Sequence, residues 1–213
     1  MTPEQQSEAA EAVCRAAPVV PVLVVEDAGS AADLAAALVA GGLPALEVTL
    51  RTPAALDVIR EMAQVEGGIV GAGTLLSGRD VERAKEAGAT FGVSPGSTQD
   101  IIDACRLNEL PLLPGAATAT EMMALLDHGY TVQKFFPAEA SGGAKALGSF
   151  ASPLSAIRFC PTGGVSLKNA NDYLSLGNVM CVGGSWVAPK DAVDAGDWGK
   201  ITALAAEAAA LRT

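Results

Sequence analysis

Residues that ligate metals are scarce in this chain. The only histidine is His128, and aromatic residues make up 4% of the 213 positions. The four cysteines form neither a CxxC motif nor a zinc-type spacing; they are Cys14, Cys105, Cys160 and Cys181. Because a zinc site needs several clustered ligands, this scarcity predicts that the protein uses neither a metal nor a bound cofactor.

Basic residues are also few. The chain has 14 lysines and arginines against 24 aspartates and glutamates, which gives a formal net charge of −10. An acidic surface of this kind argues against nucleic acid and against an anionic membrane as partners. A small anionic substrate stays compatible with it, because a few local hydrogen-bond donors can outweigh the field of the whole molecule.

Long apolar runs are absent, although half of the residues are hydrophobic. No uninterrupted run is long enough to span a bilayer. Residues 1–6 lack the basic segment followed by an apolar one that marks a signal peptide. We therefore expect a cytoplasmic, reduced protein in which Cys160 and Cys181 serve as small core hydrophobes.

Apolar strand-like runs alternate with alanine-rich helical runs along the whole chain. Strands are predicted over residues 19–25, 45–50, 69–74, 91–95, 110–114, 132–137, 158–161 and 179–182. Helices are predicted over 3–17, 30–40, 54–64, 78–87, 98–107, 119–128, 142–148, 166–175 and 198–211. Eight such units predict a single (β/α)₈ TIM-barrel domain over residues 1–213, with the first helix as a lid over its lower end. A doubly wound open sheet is the alternative, but no GxGxxG follows the first strand.

One lysine lies in an apolar, strand-like setting. Lys134 stands within the run 130–139, among bulky hydrophobic residues, whereas the other lysines occupy polar, helical or loop-like segments. Burial of an ammonium group is costly, and desolvation favours the neutral amine, which attacks carbonyl carbon. A lysine on a solvated strand face, or one whose stem alone is buried, explains this run equally well. The other strands decide between these interpretations.

The second strand supplies a possible partner for this lysine. Alternation places Glu47, Thr49 and Arg51 on one face, while the intervening apolar residues suit the layer between strands and helices. Both faces of a barrel strand are covered, so the polar face is predicted to point into the barrel. We therefore expect Glu47 and Lys134 to meet inside the barrel, with Arg51 above them.

Glycine pairs follow the last two predicted strands. Gly163 and Gly164 come after the seventh strand, and Gly183 and Gly184, followed by Ser185, come at the end of the eighth. Barrels commonly bind phosphate with backbone amides at these two places. Two tight turns without a ligand are the alternative. The third strand ends at Thr74, whose hydroxyl we expect near Arg51.

These residues together suit a phosphorylated 2-keto acid that is handled through a Schiff base. Lys134 would attack the ketone, and the protonated imine would accept electrons as the bond between C3 and C4 breaks. Glu47 would move protons in two places: it would help to dehydrate the carbinolamine, and it would take the proton of the C4 hydroxyl. Arg51 and Thr74 would hold the substrate carboxylate, the arginine with two donors.

The same residues closely resemble the 2-keto-3-deoxy-6-phosphogluconate (KDPG) and 4-hydroxy-2-oxoglutarate (KHG) aldolases. The resemblance covers nearly the whole chain, from about the first strand to the last helix. Its most specific blocks are 46–52 (LEVTLRT), 70–74 (VGAGT), 132–139 (VQKFFPAE), 158–164 (RFCPTGG) and 183–186 (GGSW). It implies a class I aldolase that forms pyruvate and glyceraldehyde 3-phosphate in the Entner–Doudoroff pathway, and a homotrimer.

The resemblance also implies roles for individual residues. Lys134 corresponds to the Schiff-base lysine and Glu47 to the acid and base. The remaining expected substrate contacts are Arg51 and Thr74 at the carboxylate, Thr162 at the stereochemistry of C4, Gly163, Gly164, Gly184 and Ser185 at the phosphate, and Pro95 and Phe136 in the cavity wall. One departure is local: relatives often carry a hydroxyl residue where this chain has Ala117.

Three other functions stay open on sequence grounds. The first is the closely related aldolase for the galactonate epimer, and the second is an aldolase that acts mainly on unphosphorylated substrate. A barrel that binds phosphosugars without catalysis is the third possibility. Thr162 and the two glycine pairs argue against the first two. A buried amine beside Glu47 argues against the third, since pure binding gains nothing from it.

Overall fold

The computed structural model describes residues 1–211, so residues 212–213 of the predicted domain lie outside the described part. Its strands are β1 (Val19–Leu23), β2 (Ala45–Thr49), β3 (Ile69–Gly73), β4 (Phe91–Val93), β5 (Leu112–Leu113), β6 (Gly115–Ala116), β7 (Val132–Phe135), β8 (Arg158–Pro161) and β9 (Val182–Gly184). Its α-helices are α1 (Pro3–Arg15), α2 (Ala31–Ala40), α3 (Ala55–Met62), α4 (Gly78–Glu86), α5 (Gln99–Leu107), α6 (Ala119–Asp127), α7 (Gly143–Ser149), α8 (Ala170–Leu174), α9 (Lys190–Asp194) and α10 (Trp198–Ala209).

The strands form a closed, all-parallel barrel. One sheet has the order β5-β4-β3-β2-β1-β9 and the other has the order β6-β7-β8. The sheets join at Pro114, whose carbonyl accepts a hydrogen bond of 2.8 Å from the backbone N–H of Lys134. On the other side, a parallel bridge between Thr162 and Gly183 closes the ring. The prediction of a (β/α)₈ barrel with an N-terminal helix is confirmed.

Strands β1, β2, β3, β4 and β7 end one or two residues before their predicted ends, and two further strands differ in layout. The strand predicted over 110–114 begins only at β5, and β6 continues beyond Pro114, because Pro111 and Pro114 have no N–H to donate to a ladder. The strand predicted over 179–182 begins only at Val182 and runs on to Gly184, while Val179 makes an isolated bridge. Helix α9 is not predicted from the sequence, because its five residues are too few to show a helical period.

Two separate apolar clusters fill the structure. The larger one lies between the strands and the surrounding helices. The smaller one, here called the barrel floor, consists of Ala10 and Cys14 from α1 with Val20, Ala45, Phe91, Val93, Leu113, Val132, Cys160 and Cys181. Phe91 fits there because Gly71 lacks a side chain: a Cβ on Gly71 would lie 2.5 Å from the Phe91 ring. Helix α1 therefore closes the lower end of the barrel, as predicted.

Helix α1 is fastened to the segment that leads into β7. The hydroxyl of Ser7 accepts hydrogen bonds from the backbone N–H groups of Thr131 (2.9 Å) and Val132 (3.1 Å). The hydroxyl of Tyr130 donates to Oε1 of Gln6 at 2.5 Å. The first turns of the helix thus support the start of the strand that carries Lys134.

Within residues 1–211, no helix is both long and apolar enough to cross a membrane.

Replacement of Ser7 by alanine is expected to destabilise the protein. Ser7 is buried, so the change leaves two backbone N–H groups without their acceptor, at a cost of about 1–3 kcal/mol in the free energy of unfolding. Urea denaturation followed by circular dichroism measures this difference. The matched control is Ser175→Ala at an exposed helix end, which should stay within about 0.5 kcal/mol of wild type. Equal stability of the two variants would contradict the fastening role.

Candidate active site

A lysine and a glutamate meet inside the barrel, one layer above its floor. Ala45 of β2 and Val132 of β7 belong to the floor. Side chains two residues further along a strand point to the same side, so Glu47 and Lys134 also face inward. Nζ of Lys134 lies 3.1 Å from Oε1 of Glu47, and both residues are at most 4% exposed. The barrel interior therefore encloses a primary amine in direct contact with a carboxylate.

The walls beside this pair leave it little freedom. A Cβ on Gly73 would lie 2.3 Å from Oε1 of Glu47, so any larger residue would push the carboxylate away from its position. On the other side, the ring centroid of Phe136 lies 5.3 Å from Nζ of Lys134, within the range of a cation–π contact. Phe136 is half-buried and forms the wall above the amine.

An arginine and a threonine stand at the mouth of the barrel, after β2 and β3. Nε of Arg51 donates a hydrogen bond of 3.2 Å to Oγ1 of Thr74. Thr74 has a φ of 61°, in the left-handed region that a β-branched residue rarely adopts. Such strained residues cluster at functional sites. Thr49 does not join this group, because its hydroxyl donates to the Leu23 carbonyl at 2.8 Å and links two strands.

Thr162 and Pro95 stand on two further sides of the barrel mouth. Thr162 is buried, and its Oγ1 would lie 2.2 Å from a Cβ on Gly183, so the absence of a side chain there admits the hydroxyl. Pro95 is half-buried after β4, and its carbonyl packs against Gly115. Both residues stand at carboxyl ends of strands, where barrel enzymes have their active sites.

The turn after β8 is held by Glu139 and Tyr173, neither of which is a predicted substrate contact. Gly163 and Gly164 have φ values of 100° and 80°, which favour glycine. The backbone N–H of Glu139 donates to the Gly163 carbonyl at 3.0 Å, and its carboxylate accepts a hydrogen bond from the hydroxyl of Tyr173. Burial and the adjacent carboxylate raise the pKa of the Tyr173 hydroxyl, which keeps it a donor.

Ser185 stands on the wall of a cleft that opens at this end of the barrel. The cleft has a volume of about 650 Å³ and follows the ends of β1 and β9; neither Lys134 nor Glu47 lines it. The cleft is also lined by Asp27 and by Glu26, whose carboxylate pairs with Nζ of Lys190 at 3.1 Å. Gly184 is buried directly before Ser185, and the Trp186 ring packs where a Cβ would stand. Ser185 therefore places a hydroxyl at the edge of this cleft.

The sequence contains only a weak signal that links Glu139 and Tyr173 to this turn. Glu139 lies in the same run as Lys134, but Tyr173 lies 34 positions further along, so no local spacing links them. Among residues 1–211, metal-ligating side chains cluster only at Cys14, Cys160 and Cys181, in the barrel floor. The cavity mouth therefore offers donors for anions, and its interior offers an amine and a carboxylate.

Comparison with known proteins agrees with this geometry. A 2-dehydro-3-deoxy-phosphogluconate aldolase of Pseudoalteromonas atlantica is 54% identical over 194 residues, which cover 91% of this chain and 90% of the relative. The structure of the KDPG aldolase of Zymomonas mobilis with 3-phosphoglycerate has a TM-score of 0.92 and 50% identity, covering 97% of this chain and 98% of the other.

A third protein is informative about chemistry. The KDPG aldolase of Legionella pneumophila, with pyruvate captured at low pH as a covalent carbinolamine, has a TM-score of 0.91 and 41% identity. The aligned part covers 94% of this chain and 98% of the Legionella pneumophila chain. The sequence model of the family described as KDPG and KHG aldolase matches residues 10–204. The chain therefore belongs to the KDPG and KHG aldolase family.

Proposed function

We propose that this protein is a class I aldolase. It cleaves 2-dehydro-3-deoxy-6-phosphogluconate to pyruvate and D-glyceraldehyde 3-phosphate, and it also cleaves 4-hydroxy-2-oxoglutarate to pyruvate and glyoxylate. The observation that carries the proposal is the buried contact of 3.1 Å between Nζ of Lys134 and Oε1 of Glu47. The names of the relatives and of the family support the same reaction.

The reaction begins with the amine of Lys134. Transfer of a proton from its ammonium group to Glu47 leaves a neutral amine, which attacks the C2 ketone of the substrate. Glu47 then returns a proton to the hydroxyl of the carbinolamine, and water leaves to give the protonated imine. The covalent carbinolamine of the Legionella pneumophila relative supports this order of events.

The imine then accepts the electrons of the bond between C3 and C4. Glu47, which lost its proton in the dehydration, takes the proton of the C4 hydroxyl as the aldehyde leaves. Protonation of the resulting enamine at C3 and hydrolysis of the imine release pyruvate and regenerate the lysine. The iminium ion is the electron sink, so the proposal assigns no step to a metal ion or cofactor.

The groups at the mouth position the two ends of the substrate. Arg51 and Thr74 bind the carboxylate, and Thr162 faces C4 and sets its stereochemistry. The phosphate is bound by backbone N–H groups at Gly163, Gly164 and Gly184 and by the hydroxyl of Ser185, while Pro95 and Phe136 line the cavity between. The Zymomonas mobilis structure contains 3-phosphoglycerate, itself a carboxylate with a phosphate, which supports recognition of both groups.

We further propose the setting in which the reaction takes place. Residues 1–213 form one domain. The resemblance to the family supports assembly of this domain into a homotrimer. The substrate is a small phosphorylated 2-keto acid of the Entner–Doudoroff pathway, and the enzyme is cytoplasmic. The net charge of −10 supports a small-molecule substrate over nucleic acid or an anionic membrane.

Borohydride reduction in the presence of pyruvate should label Lys134. Reduction of the imine leaves a lactyl-type adduct, which peptide mass spectrometry locates. The adduct is expected on the peptide that contains Lys134, and it should disappear in Lys134→Arg. Lys145→Arg is the matched control, because that lysine is exposed on α7, and it should keep the adduct. An adduct on another lysine of the active enzyme would overturn the assignment.

Replacement of Glu47 by glutamine should separate proton transfer from binding. The amide keeps the shape of the side chain but cannot carry a proton between the reacting groups, so kcat should fall by roughly 10²- to 10⁴-fold. The affinity for pyruvate should change little. Glu26→Gln, which removes an exposed carboxylate of the neighbouring cleft, is the control and should retain kcat. Near-normal kcat in Glu47→Gln would assign proton transfer to another group.

Replacement of Ser185 by alanine should affect only the phosphorylated substrate. Loss of one charge-assisted hydrogen bond costs about 1.5–3 kcal/mol, or roughly 10- to 150-fold in kcat/KM for the six-carbon phosphate. The value for 4-hydroxy-2-oxoglutarate, which has no phosphate, should stay nearly constant. Ser30→Ala removes another hydroxyl of the same cleft and should change neither value. An equal loss with both substrates would place the phosphate elsewhere.

A further inference from the structure

The barrel floor brings together three cysteines that the proposed reaction does not use. Cys14 comes from α1, Cys160 from β8 and Cys181 from the residue before β9. Their Sγ atoms all lie within 4.8 Å of one another, and all three residues are buried. Among residues 1–211, no histidine, aspartate or glutamate completes this group. The cluster is therefore a ligand set made of sulfur alone.

The spacing of the three sulfur atoms suits a trigonal metal ion. Metal–thiolate bonds of about 2.3 Å place the sulfur atoms of a trigonal site about 4 Å apart. The thiols of this cluster would move by less than about 1 Å to reach that geometry. A structural zinc site takes four ligands, whereas thiolate and thioether ligands select Cu(I). Three sulfur ligands without a fourth therefore favour the monovalent copper ion.

Cys160 lies closest to the proposed active site. It is paired in register with Lys134 on the neighbouring strand, and its Sγ lies 3.9 Å from Oγ1 of Thr162. Metals bind the thiolate form, so uptake of an ion releases the thiol protons.

A cleft on the lower surface of the barrel reaches Cys14 of the cluster. It has a volume of about 630 Å³, and Cys14 and Met180 are among the residues that line it. Met180 is half-buried, packs against the floor and places a thioether, another soft ligand, on the path. Arg15 and Arg158 also line the cleft, so delivery as an anionic thiolate complex is favoured over entry of a hydrated dication.

We propose that Cys14, Cys160 and Cys181 form a binding site for Cu(I), which enters through the cleft at Met180. Binding of one ion releases the three thiol protons to solvent and leaves a complex of net charge −2 on the strand next to Lys134, and no oxidation or reduction is involved. The site lies in the barrel floor below Lys134 and Glu47. Copper binding and aldol turnover are measured separately, so each proposal can fail while the other holds.

The test is a titration of the reduced protein under anaerobic conditions with Cu(I) held by a coloured chelator. Wild type should withdraw one equivalent from the chelator, and X-ray absorption should show sulfur as the only neighbour of the copper. Cys14→Ala should weaken the binding by at least about tenfold. Cys105→Ala is the matched control: that thiol is also buried, but it stands alone on α5.

The controls distinguish loss of the site from loss of the fold. Cys14 has no part in the proposed reaction, so Cys14→Ala should retain aldolase activity. If the Cys14→Ala variant does not fold, the Cys181→Ala variant and the X-ray absorption spectrum of the wild type replace it in the test. The proposal is overturned if wild type withdraws no copper, if the absorption data contain nitrogen or oxygen neighbours instead of sulfur, or if Cys105→Ala loses the ion while Cys14→Ala keeps it.

Discussion

The buried contact between Lys134 and Glu47 is the constraint around which the interior of this barrel is arranged. Two ionisable groups that are almost fully removed from water are costly unless each satisfies the other. The contact of 3.1 Å does so, and it depends on strands β2 and β7 standing across the barrel at the same height. Below the pair, the barrel floor excludes water; above it, Phe136 covers the amine.

Much of the site is created by side chains that are missing. Gly73 makes room for the carboxylate of Glu47, and Gly183 makes room for the hydroxyl of Thr162. At Gly164, a Cβ would lie 2.6 Å from Cγ of Glu139, the residue that holds the turn proposed to bind phosphate. Backbone amides at such turns favour an anion without added lysines, which suits a chain with a net charge of −10.

The sequence predicted the barrel and the inward face of β2 because both depend on local, periodic patterns. Alternation along residues 45–51 places Glu47 on the side of Ala45, which the structure finds in the barrel floor. Prediction was poorest where proline interrupts a ladder, at Pro111 and Pro114, and where an element is shorter than two helical turns, as in α9. Local patterns cannot report hydrogen bonds that depend on a neighbouring strand.

The sequence by itself determined which residue types stand at each strand end: an amine, a carboxylate, an arginine and paired glycines. Only the tertiary structure decided which of them touch, because closure of the barrel joins positions that are far apart in the chain. The contact of Tyr173 with Glu139 and the meeting of Cys14 with Cys160 and Cys181 have no local signal. The first exists because α8 packs beside the segment after β7, and the second because α1 meets β8 and the residue before β9, and both are set by packing and not by spacing.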